Sequence, residues 1–257
     1  MRFTSLGSGS EGNALVVEAG KTRLMLDCGF GLAEVVRRLQ KVALKPEELA
    51  GIVVTHEHED HVGGVQRFAR KYQLPVLLTH GTWVASGGEK WNGVNVKIID
   101  SHLPWPVGDL QLLPFPVPHD AREPTQFVFS DGQRALGVLT DTGTSTPHIE
   151  AMLREVDAWV LECNHDLSRL MASHYPNSLK QRISGRLGHL DNQAAADLLR
   201  SVIGERSRLQ HVIAAHLSKQ NNSASLAQQA LARVLGCEEH WIGVASQDEG
   251  FDWREIH

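Results

Sequence analysis

Residues 55 to 64 read Thr-His-Glu-His-Glu-Asp-His-Val-Gly-Gly. His56, His58, Asp60 and His61 therefore fall within six positions. Upstream, Gly51-Ile-Val-Val54 is a continuous apolar run that suits a buried strand. Downstream, Gly63 and Gly64 lead into residues 65 to 72, which read as a helix. The four polar side chains thus sit where a strand ends and a loop begins, a usual place for an active site. Imidazole and carboxylate are ligands for divalent zinc, manganese or iron. A histidine-rich surface loop would explain neither the strand before the motif nor the double glycine after it. A structural zinc site would be rich in cysteine and closed. No cysteine lies near, so an open, reactive metal site is favoured.

The rest of the chain alternates strand and helix, which points to an α/β fold. Residues 2–6, 13–18 and 22–27 read as strands, with a turn rich in Gly and Ser at residues 8–13. Residues 32–40 are periodic and helical, and Pro46 to Leu49 look like a short helix start. Residues 81–109 carry Trp83, Trp91 and Trp105 and read either as a loop over a cleft or as core. A helix is expected from residue 191 to 202, capped by Asp191 or Asn192, and a second from Ser223 to Leu235, stopped by Gly236. The tail from Trp241 to Trp253 reads as closing strands.

With 257 residues, 42% of them hydrophobic, the chain can bury a sizeable core. No linker, repeat or low-complexity tract divides it, so one domain over residues 1–257 is expected. Three scattered cysteines, Cys28, Cys163 and Cys237, form no disulfide framework and suit a reducing cytoplasm. Neither a signal peptide nor a run of about 20 apolar residues is visible, so no membrane partner is expected. A net charge of −5 does not suit a purely electrostatic nucleic-acid binder, but bound divalent ions would nearly cancel it.

The pattern His-x-His-x-Asp-His followed by Gly-Gly resembles the signature of the metallo-β-lactamase-fold hydrolases. The resemblance implies an αββα sandwich with two divalent metal ions in a cleft at one edge. On that resemblance His56, His58 and His119 hold one ion, Asp60, His61 and His216 hold the other, and Asp141 bridges them. His119, Asp141 and His216 each follow a strand-like run, in the expected order along the chain. The resemblance also implies two similar halves meeting near residue 145, which the sequence itself does not show.

Four segments narrow the resemblance to a YycJ/WalJ-like branch associated with metal-dependent 5′-to-3′ exonuclease activity on DNA. They are residues 8–13, Glu162-Cys-Asn-His-Asp166, residues 175–189, and residues 216–222. Asp191 departs from the serine expected after Gly-His-Leu, and reads as a helix cap. The second half is also similar to tRNA 3′-processing nucleases, which use a Glu paired with a Gly-His motif to protonate the leaving group. Glu162 and His189 match those positions. Phosphodiester cleavage needs an activated water, charge neutralisation at phosphorus and a proton for the departing oxygen. The expected mechanism has a metal-bridging hydroxide oriented by Asp60 and Asp141, with His189 as the acid and Glu162 orienting it. Lys180, Arg182 and Arg186 form a basic run before His189. Arg182 is the candidate for gripping phosphate, with His165, Ser218 and Asn222 as further substrate contacts. The expectation is a two-metal phosphodiesterase acting as a DNA exonuclease. The alternative is a thioester or lactam hydrolase (glyoxalase II-like or β-lactamase-like) on the same metals. It would not need the Glu162–His189 pair.

Overall fold

A computed structural model describes residues 1–204 and 208–257. One seven-stranded sheet holds β1 (Arg2–Gly7), β2 (Ala14–Ala19), β3 (Thr22–Leu26), β4 (Gly51–Val53), β5 (Pro75–Leu78) and β6 (Asn95–Ile98). The other holds β7 (Trp105–Val107), β8 (Leu110–Pro116), β9 (Thr125–Ser130), β10 (Ala135–Leu139), β11 (Ala158–Glu162), β12 (His211–Ala215) and β13 (Gly243–Val244). The last strand, β14 (Phe251–Glu255), returns to the first sheet beside β1. The chain therefore changes sheet between Ile98 and Trp105, well before residue 145.

Strands buried on both faces explain the nearly continuous apolar runs. In β3, Leu24 and Leu26 face the second sheet, where Phe127, Val138 and Val160 meet them. Met25 points the other way, to the helices Leu32–Lys41 and Val65–Tyr72 through Leu39 and Phe68. In β11 the same alternation sends Val160 inward and Trp159 outward to the helix Asn192–Val202. Three apolar layers thus separate four layers of structure, the αββα sandwich.

Residues 81–109 form no loop over a cleft. They supply the helix His80–Ala85 and the strands β6 and β7. Trp91 is buried in the outer core of the first sheet, with Trp83 packed against it. No helix among the described residues is long and apolar enough to cross a membrane.

Asp191 caps the helix Asn192–Val202 by accepting from the N–H groups of Gln193 (2.8 Å) and Ala194 (2.9 Å). Asp191→Ala should cost about 1 kcal/mol, whereas Asp191→Ser, which also caps, should cost little. Urea denaturation of the two variants checks this. Equal losses would show that the side chain acts otherwise than as a cap.

Candidate metal centre

The parallel strands β3, β4, β10, β11 and β12 all end at one edge of the sandwich, and the polar side chains hang from those ends. His56 follows β4, Asp141 follows β10, Glu162 closes β11 and His216 follows β12. Asp27, Asp141 and His216 have left-handed backbone, with φ of 60°, 53° and 56°. Such a conformation is sparsely populated for residues other than glycine and clusters at functional sites.

His56 Nε2, His58 Nδ1 and His119 Nε2 converge, with successive spacings of 3.1 and 3.3 Å. Bonds of about 2.0–2.1 Å at tetrahedral angles place neighbouring ligands about 3.3 Å apart, so these three nitrogens have ligand spacing. Next to them, Asp60 Oδ2 lies 3.5 Å from both His61 Nε2 and His216 Nε2. Asp141 groups with His56 of the first set and His61 of the second, its Oδ2 3.3 Å from His61 Nε2, while its Oδ1 lies 3.4 Å from His216 Nδ1. The structure thus brings all seven expected ligand residues into one cluster, in groups that could each hold an ion.

The outer nitrogens of His56, His61 and His119 are tied down, which orients those rings and turns the other nitrogen inward. His61 Nδ1 donates to Asp27 Oδ2 (2.8 Å), and His119 Nδ1 donates to the Gly188 carbonyl (3.1 Å). His56 Nδ1 donates to Thr55 Oγ1 (2.9 Å), whose hydroxyl donates to Asp27 (2.9 Å). Asp27 therefore orients two rings from behind. Asp27→Gly, which removes the carboxylate without straining a backbone at φ of 60°, should weaken zinc affinity by about 10–100-fold, measured by competition with a chromogenic chelator. An unchanged affinity would reduce Asp27 to a folding residue.

A second support comes from the Ser8–Asn13 turn. It is no flexible loop: Ser8 Oγ accepts from the His216 N–H (3.0 Å), and the Asn13 amide donates to Asp60 Oδ2 (3.3 Å). Sequence alone assigns Asp27 no site role, and it marks residues 8–13 only as a segment of the resemblance. The available signal was Asp27 ending an apolar run, as Asp141 does.

The carboxylates and imidazoles shift one another. Burial, with His61, His119 and His58 close by, pushes His56 well below the ordinary histidine range, the neutral form a ligand needs. Burial also lowers His119. Burial would lower His216 too, but Asp141, Asp60 and Glu162 raise it to about 10. Burial would raise Asp60, yet His61 and His216 outweigh it and hold the carboxyl well below its usual range. Protons on His61 and His216 thus offset a surplus of buried negative charge, a task a divalent cation can take over. Asp141 Oδ2 gives an independent sign. It is buried and accepts no hydrogen bond among the described residues. An orphaned carboxylate oxygen facing imidazole nitrogens suits a divalent metal ion.

Glu162 is fully buried and does more than orient His189. Its Oε1 accepts from His189 Nδ1 (2.9 Å), His216 Nδ1 (3.1 Å) and the Asp141 N–H (3.1 Å). Its Oε2 accepts from the N–H groups of Thr142 (3.1 Å) and Leu190 (3.0 Å). With five donors on it, Glu162 is an anchor, although it also lies within reach of an ion. His189 is half-buried and lines a cleft of about 390 Å³ together with His58, Asp60, Asp141 and His216. Burial would lower its pKa, but Glu162 and Asp141 raise it. Gly188 lets the turn before it close: a Cβ there would lie 2.2 Å from the carbonyls of Arg182 and Ile183.

Of the expected substrate contacts, only Arg182 lines the cleft. Asn222 instead spends its amide on the Cys163 carbonyl (2.7 Å) and on Asn192 (2.9 Å). Ser218 accepts from the Asn221 N–H (3.2 Å), and His165 is buried against Asn164 (3.3 Å). Lys180 is buried, donating to the Met171 carbonyl (2.7 Å), so the basic run does not act as one patch.

Residues 22–212 match the family described as Beta-lactamase superfamily domain. The exodeoxyribonuclease YycJ of Bacillus anthracis is 35% identical over 254 residues, covering 98% of this chain and 95% of its own. The exodeoxyribonuclease WalJ of Streptococcus pneumoniae (strain D39) is 33% identical, covering 95% and 91%. Among solved structures, the metallo-beta-lactamase fold protein YhfI of Bacillus subtilis superposes with a TM-score of 0.75 at 15% identity, covering 98% of each chain. Human short-form tRNase Z superposes with a TM-score of 0.68 at 16% identity, covering 100% of each. The two structures share the fold; the two nearly full-length relatives share the sequence as well. Kinship over almost the whole length agrees with the clustered donors, and the chain belongs to the metal-dependent hydrolases of the beta-lactamase superfamily, on the branch of YycJ and WalJ.

Proposed function

We propose that residues 1–257 act as one domain, a two-metal phosphodiesterase that degrades DNA as a 5′-to-3′ exonuclease. The observation that carries this reading is His189, which lines the cleft, bonds to the buried Glu162 and has its ring beside His119 of one ligand group and His216 of the other. The exodeoxyribonuclease activity named for the two bacterial relatives supports the substrate. His56, His58 and His119 would hold one ion, Asp60, His61 and His216 the other, with Asp141 shared. Zinc, manganese and iron all suit such donors. When bound, the ions supply Lewis-acid neutralisation of the phosphoryl oxygens and an activated water. Asp60 and Asp141 offer acceptor oxygens that orient that water in the cleft. His189, anchored through Nδ1, keeps Nε2 to give a proton to the departing oxygen. Glu162 stabilises the charged ring until transfer. Three unpaired cysteines, two of them buried, support a reducing cytoplasm as the place of action.

The test is a panel of end-labelled single- and double-stranded DNA and RNA, repeated with each metal. Mononucleotides released from the 5′ end of DNA are expected. Cleavage of thioesters or lactams, with DNA untouched under every metal, would overturn the reading.

A further inference from the structure

The helix Asn177–Ile183 turns one face to the cleft. Leu179, Arg182 and Ile183 line it, at the i, i+3, i+4 spacing that places side chains on one side of a helix. Arg182 is the one Lys or Arg among the lining residues, where Glu59, Asp60, Asp120 and Asp141 supply carboxylates. It is 62% exposed, and its Nε donates to Asp120 Oδ2 at 2.6 Å. Asp120 is itself held, because its N–H donates to the Leu187 carbonyl (3.0 Å). Its other oxygen, Oδ1, stands 3.5 Å from His119 Nε2 and 3.9 Å from His58 Nε2. The ion pair therefore sits at the rim of the first histidine triad.

A guanidinium carries five N–H donors in a rigid fork. Asp120 takes the one at Nε, and Nη1 and Nη2 have no partner among the described residues. An arginine pinned by Nε keeps its outer edge free and aimed, the geometry that suits phosphate oxygens. Beside it, Leu179 and Ile183 offer aliphatic surface with no hydrogen-bonding groups.

We propose that Asp120 is a positioning residue that holds Arg182 at the first triad, so that its free Nη edge receives a phosphate of a nucleic-acid strand. The sugar and base of that nucleotide lie against Leu179 and Ile183, which cannot read base edges, so recognition is independent of sequence. The inference rests on the phosphodiesterase reading and adds to it the residue that aims the clamp. If Asp120 merely neutralised Arg182, the opposite sign would follow, because removing the carboxylate would strengthen binding of an anion.

The probe is a 5′-phosphorylated phosphorothioate oligodeoxynucleotide, which resists cleavage, titrated against the metal-loaded protein by fluorescence anisotropy over a range of salt. Arg182→Ala should weaken binding by about tenfold or more, the worth of a charge-assisted contact. It should also lower the salt slope by about one. Arg182→Lys should fall nearly as far, because an ammonium cannot be pinned and still present a fork. Asp120→Ala should weaken binding as well, and the double variant should be no worse than Arg182→Ala alone. Asp120→Asn, whose side-chain oxygen still accepts from Nε, should recover most of the loss. Additive losses, tighter binding by Asp120→Ala, or loss of metal from that variant would overturn the pairing. If the wild type binds and cuts DNA while Asp120→Ala binds equally well, the pairing alone falls. If the wild type neither binds nor cuts it, the phosphodiesterase reading falls with it.

Discussion

Replacing His189 with alanine is expected to slow cleavage of DNA by about 10²–10⁴-fold, the usual worth of a positioned acid, with metal content unchanged. The geometry sets this apart from a general weakening. His189 is held by one bond, from Nδ1 to Glu162, and its ring faces the cleft. None of the seven clustered ligand residues depends on it for a hydrogen bond. The loss should follow the leaving group. A nitrophenyl phosphodiester releases a stable anion and needs little protonation, so His189→Ala should be far less harmful there. Equal losses on DNA and on the activated ester would assign His189 to binding or structure. Glu162→Gln is not a milder version of the same experiment. Glutamine brings an NH₂ to a place where five N–H groups already point, so it should disturb His216 and the Asp141 backbone along with His189.

Asp141→Asn should strip metal from the whole cluster, by well over the ~10–100-fold in affinity that an outer-shell change costs. His119→Ala should weaken mainly the three-histidine group. Asparagine is the informative substitution because Asp141 has φ of 53°, which asparagine tolerates and alanine does not. The change removes charge without adding backbone strain. It takes the charge from the carboxylate that groups with His56 of the first set as well as with His61 of the second. Metal content by elemental analysis after reconstitution, with circular dichroism to confirm folding, reads the outcome. A wild type that never holds more than one ion, or an Asp141→Asn protein that keeps two, would remove the shared-ligand assignment.

The ligand residues were legible because a buried strand writes itself as an apolar run, and the first His or Asp after that run marks the sheet edge. His56, Asp141 and His216 were all visible in this way. Asp27 ends an apolar run too, but it faces the back of the histidines, and direction across a sheet edge is set by packing. The Ser8–Asn13 turn reads as a segment of the resemblance with no role for its residues, because its bonds go to His216 and Asp60, far along the chain. Asn222 was misread for the converse reason. Its amide closes bonds to Cys163 and Asn192 that no local pattern announces. The tryptophan segment was ambiguous because composition does not say which side of a sheet covers it. The Asp120–Arg182 contact joins a strand exit to a helix 62 residues away.

The left-handed backbone at Asp27, Asp141 and His216 bears on how the chain responds to selection. Each such residue costs on the order of 1–3 kcal/mol, and glycine would relieve most of that strain while abolishing the side chain. Glycine at these three positions should therefore toughen the protein against heat while removing what makes it useful. A laboratory search rewarding thermal tolerance alone could gain freely at Ala43 and Gln73, which share that backbone away from the centre, whereas a lineage held to its activity must keep the strain at the other three.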